Sequence, residues 1–204
     1  MRVLNKRVFF DDYAFDVFDK VYEPSEDTTL FAENLDVNKG EWVLDVGTGC
    51  GILGIIAAAK AKAVVSVDIN PHALRCAFAN VRLNHAKQNI ALVRGDLLTW
   101  LKPGERFDLI LFNAPYLPTE EKEDPSWIER AWAGGPNGRM VIDRFIQQVP
   151  AHVNPGGRVL MLQSTLAGLE ETIQAFGKAH WKVKVIAEHC LPFFETIKLI
   201  EARP

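Results

Sequence analysis

Two short segments of the chain carry residue types that bind and position small molecules. The segment 43–51 is an apolar strand that reaches an acid, Asp45, and continues as a glycine-dense turn. The segment 108–116 contains a second apolar strand and ends in Asn-Ala-Pro-Tyr. A glycine turn after a strand suits a nucleoside-like ligand, and a side-chain amide beside an aromatic ring suits a planar nitrogen group. We expect the first segment to bind a cofactor and the second to hold the group on which it acts.

The glycine turn sets the place of the cofactor. Gly47 and Gly49 lack a Cβ atom where the strand passes into a helix, so backbone amides can approach a ligand closely. Asp45 favours a cationic ligand, because a carboxylate repels a pyrophosphate and attracts the ammonium group of S-adenosylmethionine. We therefore predict S-adenosylmethionine as the cofactor and methyl transfer as the reaction.

A nicotinamide dinucleotide is an alternative that the turn alone leaves open. Gly49, Gly51 and Gly54 also satisfy the spacing of the dinucleotide-binding fingerprint, and Asp68 lies about where that motif has its ribose acid. A regulatory or dehydrogenase-like module of this kind would bind NAD in preference to S-adenosylmethionine. It would leave the Asn-Ala-Pro-Tyr segment without a role.

Two further acids follow predicted strands. Asp68 can accept both hydroxyls of a ribose, and Asp96 can accept a hydrogen bond from an adenine amino group, with Leu97 beside it in the same site. Each acid also has a structural interpretation, as a helix cap or a solvated turn residue. Open parallel sheets bind ligands along the edge where their strands end, so acids at three successive strand ends favour one cofactor site.

The end of the fourth predicted strand carries the chemistry. An amide nitrogen is a poor nucleophile because its lone pair is delocalised, so most of the catalysis must come from aligning it with the departing sulfur. The side-chain carbonyl of Asn113 and the main-chain carbonyl of Ala114 can accept both hydrogens of an NH2 group. Pro115 stiffens the turn, and Tyr116 can stack on the substrate and face the cationic methyl donor. A turn former and a core aromatic are the structural alternatives for Asn113 and Tyr116.

Alternating strand-like and helix-like segments predict an α/β fold with a parallel sheet covered by helices on both faces. The predicted strands are 42–45, 64–68, 90–93, 109–112, 158–163, 182–188 and 194–201. The predicted helices are 52–60, 71–85, 138–149 and 166–179. The connection between the last two strands is too short for a crossover helix, so they must form an antiparallel hairpin. We therefore expect a Rossmann-like class I methyltransferase fold, with a single domain over 1–204 in which residues 1–40 form a lid over the cofactor.

The composition excludes several other classes of protein. The chain of 204 residues is 48% hydrophobic and has a formal net charge of −3, so no global basic surface indicates nucleic acid as partner. Cys50, Cys76 and Cys190 are widely spaced, which predicts neither a disulfide framework nor a metal site. No apolar run reaches membrane-spanning length and the start of the chain lacks a signal-peptide core. We expect a cytoplasmic protein without a membrane partner.

Four segments of this sequence resemble the HemK-type glutamine N5-methyltransferases. They are residues 22–28, 45–51, 113–116 and 131–139. The resemblance is closest to the short archaeal and eukaryotic branch, because only about forty residues precede the glycine strand, too few for the N-terminal helical domain of the bacterial relatives. It implies methylation of the glutamine in the GGQ motif of class I translation termination factors. It also implies a heterodimer with a small zinc-binding activator subunit.

The resemblance and the pattern analysis together give the predicted site. The predicted cofactor residues are Thr28, Asp45, Gly47, Gly49, Asp68, Asp96, Leu97 and Asn113. The predicted catalytic residues are Asn113, Ala114, Pro115 and Tyr116. The family usually has Asn-Pro-Pro-Tyr, and this chain has Ala114 in place of the first proline. Alanine keeps the main-chain carbonyl and loses some rigidity, so we expect activity to be retained.

An adenine amino group is the alternative target of methylation. The same pair of acceptors can hold the amino group of an adenine in DNA or RNA, with Tyr116 stacked on a flipped base. The acidic balance and the absence of a target-recognition domain count against this alternative. The polar stretch 117–130 follows the catalytic segment and is too broken for core, so we expect it to form a mobile substrate loop.

Overall fold

A computed structural model describes residues 6–86, 88–120, 122–192 and 195–204. The strands are β1 (Lys6–Phe10), β2 (Tyr13–Val17), β3 (Trp42–Val46), β4 (Ala63–Asp68), β5 (Ile90–Arg94), β6 (Phe107–Asn113), β7 (Val153–Ser164), β8 (Lys182–Cys190) and β9 (Thr196–Arg203). The α-helices are α1 (Glu26–Glu33), α2 (Ile52–Ala58), α3 (Pro71–Leu83), α4 (Met140–Gln148) and α5 (Leu169–Lys178). Short 3-10 turns occur at Glu129–Ala131, Val149–His152 and Thr165–Ala167.

Seven of the strands form one sheet in the order β5-β4-β3-β6-β7-β9-β8. Strands β3 to β7 pair in parallel, whereas β9 lies antiparallel between β7 and β8. This confirms the predicted class I methyltransferase sheet with a terminal antiparallel pair. Phe194, the first residue of the last predicted strand, lies outside the described residues.

The central strand β6 shows why the sequence folds as a covered parallel sheet. Its consecutive residues are apolar and fully buried, and they face alternate sides: Leu109 and Leu111 contact one hydrophobic cluster, Ile110 and Phe112 the other. Helices α1, α2 and α3 supply the first cluster, and α4 and α5 supply the second. Among the described residues, no helix combines the length and apolar character needed to cross a bilayer.

The segment before β3 contains structure that the sequence analysis did not predict. Strands β1 and β2 form an antiparallel hairpin, and α1 follows it. Asn80 of α3 and Asn84, which caps the end of that helix, bind the hairpin backbone as a neighbouring strand would. Asn84 bonds to both the N–H and the carbonyl of Ala14, and Asn80 does the same for Asp16. Asn80 also donates to the carbonyl of Cys50 at 2.9 Å, so it links the hairpin to the glycine turn after β3.

Replacing Asn80 tests this link. Asn80 is completely buried, and the substitution Asn80→Ala removes its bonds to the N–H of Asp16 and the carbonyl of Cys50, and leaves the Asp16 carbonyl with only the Cys76 thiol as donor. We expect the free energy of unfolding to fall by about 2–4 kcal/mol in urea titrations. Arg82→Ala changes an exposed residue of the same helix and should cost less than about 0.5 kcal/mol. Equal losses in the two variants would contradict the proposed role of Asn80.

Candidate active site

The glycine turn lies between β3 and α2 at the carboxyl edge of the sheet. Gly47, Gly49 and Gly51 all have positive φ, at 70°, 56° and 92°, which explains the need for glycine there. The N–H of Gly47 donates to the carbonyl of Val67 at 2.8 Å and ties the turn to the end of β4. The side chains of Thr48 and Cys50 are buried, so glycine backbone forms the exposed part of this turn, next to the start of α2.

Asp45, near the end of β3, stabilises this turn through hydrogen bonds. One of its oxygens, Oδ2, accepts hydrogen bonds from the hydroxyls of Thr48 and Ser66 and from the N–H of Gly54. Burial raises the pKa of Asp45 to about 6, these hydrogen bonds oppose the rise, and the charge of Asp68 adds to it. Asp45 is 1% exposed, so the structure gives it a role in shaping the turn. Its direct contact with a cofactor ammonium stays a prediction.

Asp68 ends β4 beside the same turn. Its Oδ2 accepts from the N–H of Gly49 at 2.9 Å, and its Oδ1 accepts from the N–H of Asn70 at 2.8 Å. Asn70 caps α3 by accepting from the N–H of His72, and Pro71 is the first helical residue, which is the start predicted for the helix 71–85. Burial raises the pKa of Asp68. The acid thus joins the glycine turn to α3, at the place where a ribose ligand is predicted.

Asp96 and Leu97 follow β5, on the far side of β4. The carboxylate of Asp96 pairs with Arg144 of α4 and is 40% exposed. Leu97 is buried and has a positive φ of 49°, which is uncommon for a residue with a side chain. Its N–H makes no backbone hydrogen bond within the described residues. The predicted roles of both residues in cofactor binding stay predictions.

Asn113 ends β6 with its side-chain amide held in one orientation. Its Nδ2 donates to Oδ2 of Asp27 at 3.0 Å and lies 3.4 Å from the hydroxyl oxygen of Thr28. A carboxylate only accepts, so the nitrogen of the amide must face Asp27 and the oxygen must face the other way. That oxygen, Oδ1, is buried and accepts no hydrogen bond from the described residues.

Asp27 is the site residue that the sequence analysis missed. Helix α1 places it at the edge of β6, where it is 7% exposed and also accepts from the hydroxyl of Tyr22 and the N–H of Thr28. The predicted cofactor residue Thr28 is its neighbour, and its hydroxyl donates to Asp27 at 3.1 Å. The segment 22–28 is one of the four that resemble the family, so a signal was present. The partner of Asp27 is 86 residues away, which a local pattern cannot reveal.

The remaining residues of the catalytic segment lie beside Asn113. The N–H of Ala114 donates to the carbonyl of Leu162 at 3.3 Å, and its own carbonyl accepts from no donor of the described residues. Pro115 follows and is half-buried, as is Tyr116. Burial raises the pKa of the Tyr116 phenol, and nearby acids, Asp27 first, raise it further. Tyr116 is therefore a neutral hydrogen-bonding aromatic at physiological pH.

Backbone contacts hold the loop after Tyr116 at both ends. The N–H of Leu117 donates to the carbonyl of Trp132, and the N–H of Gly134 donates to the carbonyl of Leu117. Between these ends the loop contacts α3, since the Trp127 ring meets the His72 ring edge-on at 6.4 Å between centroids. The mobility that we expected of 117–130 stays a prediction, and residue 121 lies outside the described part.

The residues of the candidate site lie at the ends of four neighbouring strands. The glycine turn, Asp68 and Asp96 follow β3, β4 and β5, which are neighbours, and Asn113 follows β6 on the other side of β3. Free backbone donors, carboxylates and a surface without side chains suit a nucleoside that carries a cationic group. Within the described residues, no group of three or more His, Cys, Asp or Glu side chains is placed to bind a metal ion.

Comparisons with known proteins agree with this geometry. The methyltransferase small domain family matches residues 21–189. A relative from Methanocaldococcus jannaschii with the provisional name protein N5-glutamine methyltransferase is 43% identical over 178 residues, which cover 86% of this chain and 88% of the relative. The Homo sapiens methyltransferase HEMK2 is 40% identical over 151 residues, 69% of this chain and 70% of that protein.

A solved structure is similar over nearly the whole chain. It is that of the E. cuniculi Mtq2–Trm112 complex, described as responsible for methylation of the translation termination factor eRF1. The superposition has a TM-score of 0.66 and 27% sequence identity, and it covers 90% of this chain and 98% of that chain.

Replacing Gly138 tests how closely the loop after Tyr116 packs against the catalytic segment. A Cβ atom there would overlap the carbonyl oxygen of Tyr116, and its φ is 73°. We expect Gly138→Ala to lower the free energy of unfolding by about 2–4 kcal/mol more than Gly104→Ala. Gly104 has a φ of 90°, and no atom lies within 4 Å of the position that a Cβ would take, so it controls for backbone strain alone. Similar losses in urea titrations would show that the close approach to Tyr116 is unimportant.

The raised pKa of Asp45 predicts a pH dependence of stability. The folded protein binds the Asp45 proton more tightly than the unfolded chain does, whose ordinary pKa is 3.8. The contribution of Asp45 to the free energy of unfolding therefore falls as the pH rises from about 4 to about 6, and this contribution is constant above about pH 6.

We expect the stability of the wild type relative to Asp45→Asn to fall by about 1–3 kcal/mol across this window in urea titrations. The exposed acid Asp19 supplies the control variant, Asp19→Asn. A difference between wild type and Asp45→Asn that does not change with pH would contradict the assignment.

Proposed function

We propose that this chain, which belongs to the methyltransferase small domain family, methylates the side-chain amide of a glutamine in the Gly-Gly-Gln loop of a class I translation termination factor. Family membership makes the chain a methyltransferase, and the identity of the methylated group is the proposal. The observation that carries it is the buried Oδ1 atom of Asn113, which has no partner in the described structure. An acceptor in this state costs about 1–3 kcal/mol unless a ligand supplies a donor.

The proposed cofactor is S-adenosylmethionine, which supplies an electrophilic methyl group on a sulfonium sulfur. The glycine turn would hold its amino-acid end, Asp68 its ribose, and Asp96 with the N–H of Leu97 its adenine. Thr28 and Asn113 border the methyl group between the cofactor and the substrate. The carboxylates of Asp45, Asp68 and Asp96 attract the positive charge of this cofactor and repel the pyrophosphate of NAD.

Asn113 and Ala114 would hold the substrate amide. The NH2 group donates one hydrogen to Oδ1 of Asn113 and the other to the carbonyl of Ala114, which fixes both the position and the plane of the nitrogen. Held in this way, the nitrogen would take the methyl group as the carbon–sulfur bond breaks and its electron pair stays on the sulfur, and the proton lost from the nitrogen would pass to water. Positioning of this kind accounts for large rate accelerations without a strong base.

Asp27 would act as a positioning residue for Asn113. By accepting from Nδ2, it prevents the amide from flipping and keeps Oδ1 toward the substrate. Tyr116 covers the substrate amide with a neutral ring that can also face the sulfonium. Ala114 contributes a backbone atom, so alanine can replace the usual proline of the family motif.

The relatives support glutamine over adenine as the target. The Methanocaldococcus jannaschii relative is named for protein N5-glutamine methylation, and the Mtq2–Trm112 complex is described as acting on a termination factor. That complex also supports a small activator subunit as a partner of this chain. A substrate in the translation machinery places the proposed reaction in the cytoplasm.

Mass spectrometry after methyl transfer tests the proposal. The chain is incubated with S-adenosylmethionine and a termination factor that carries a Gly-Gly-Gln loop, or with duplex or single-stranded DNA, each with and without the activator subunit. A methyl group on the loop glutamine alone supports the proposal, and dependence on the added subunit supports the heterodimer. Methylation of DNA alone would replace glutamine by adenine as the target.

Two variants test whether Asn113 and its orientation matter for turnover and not for cofactor binding. Asn113→Ala removes the acceptor, and Asp27→Asn lets the Asn113 amide turn over, so we expect kcat to fall by about 100-fold or more in both. The cofactor Kd, measured by calorimetry, should rise by less than about tenfold, because most contacts come from other residues.

Glu33→Gln changes an exposed acid of the same helix as Asp27 and serves as the control, with kcat expected near wild type. Turnover of Asp27→Asn equal to that of the control would contradict the role of Asp27, and unchanged turnover of Asn113→Ala would contradict that of Asn113.

A further inference from the structure

A second acceptor without a partner lies near the catalytic segment. Oε1 of Glu195 is a buried carboxylate oxygen that accepts no hydrogen bond from the described residues. The first basic residue of the strand that follows Glu195, Lys198 of β9, pairs with Glu188 instead. A buried carboxylate oxygen without a donor is unfavourable, as it is for the Asn113 amide oxygen.

The sheet register places Glu195 beyond the edge where the site lies. Asn113 pairs with Leu162 of β7, and two residues further along β7 Ser164 pairs with Ile197 of β9. Glu195 comes two residues before Ile197, so it lies above the carboxyl edge of the sheet. The N–H of Leu191 donates to its carbonyl at 2.8 Å and fixes this end of the hairpin.

Glu195 and Tyr116 are electrostatic neighbours. The charge of Glu195, after burial and the charge of Asp27, contributes to the raised pKa of the Tyr116 phenol. The strand order sets the side on which both lie. Cofactor residues follow β3, β4 and β5, whereas β7 and β9 are on the opposite side of Asn113. The ends of β7 and β9 are therefore the side that is available to the polypeptide carrying the substrate glutamine.

We propose that Glu195 is a substrate-binding residue whose Oε1 accepts a hydrogen bond from a main-chain N–H of the substrate, one or two residues from the methylated glutamine. This inference rests on the proposed function, since it requires a polypeptide substrate. A main-chain N–H fits a shielded oxygen because it is small and neutral, so it adds no charge to be desolvated. Asn113 and Ala114 hold the side-chain amide of the substrate, and Glu195 adds an acceptor for its backbone.

The variant Glu195→Leu removes the acceptor at similar volume. We expect KM for a Gly-Gly-Gln peptide to rise about tenfold, with kcat within about twofold of wild type, as for loss of one hydrogen bond to a charged group. The thermal midpoint should stay the same or rise, because an unpaired buried oxygen is removed. Glu195→Gln keeps an acceptor and should restore KM to within about threefold. Glu188→Leu, an exposed acid of the same hairpin, is the control.

Peptides N-methylated at single backbone positions identify the donor. One such peptide should raise KM about tenfold with wild type and less than about twofold with Glu195→Leu, because the hydrogen bond is already absent there. An unchanged KM for Glu195→Leu, or equal effects of every N-methylated peptide on both enzymes, would overturn the role of Glu195 while wild-type turnover still supports the proposed function. No wild-type turnover of either the peptide or the intact termination factor would overturn both.

Discussion

The hydrogen bond from Asn113 to Asp27 is the interaction on which the candidate site depends. A side-chain amide has a donor end and an acceptor end of nearly the same shape, and without a fixed partner either end can face a ligand. Asp27 accepts only, so it binds the nitrogen and leaves the oxygen for the substrate. The two residues lie 86 positions apart, and only the complete sheet with α1 packed against it brings them together.

The rest of the fold supports this contact from several directions. The Asn80 side chain joins the N-terminal hairpin to the glycine turn, so the segment that leads into α1 has a fixed start. Asp45 and Asp68 bind the turn from two sides through its backbone N–H groups and Thr48. On the substrate side, Gly138 allows the loop backbone to approach Tyr116 closely. The residues predicted to bind cofactor and substrate are therefore held in position by buried polar contacts.

The strands, helices and turns that depend on residue periodicity and on local turn chemistry could be predicted from the sequence. The apolar strands, the glycine turn, the Asn70 cap before Pro71 and the final antiparallel pair could all be recognised from nearby residues. The β1–β2 hairpin and α1 could not, because side chains of α3 and packing against the core stabilise them. The same limit explains the omission of Asp27, and it explains why the hydrogen bonds of Asp45 to Thr48, Ser66 and Gly54 could not be predicted. Contacts between distant segments decide orientation, and no local pattern encodes them.

A crystal structure with S-adenosylhomocysteine and a Gly-Gly-Gln peptide tests the central claim most directly. We predict that the nitrogen of the substrate amide lies about 2.7–3.2 Å from Oδ1 of Asn113, within hydrogen-bonding distance. Asp27 should still accept from Nδ2 of Asn113 in that complex. A substrate amide whose nitrogen contacts neither Asn113 nor Ala114, or an Asn113 side chain turned so that Nδ2 faces the substrate, would contradict the account.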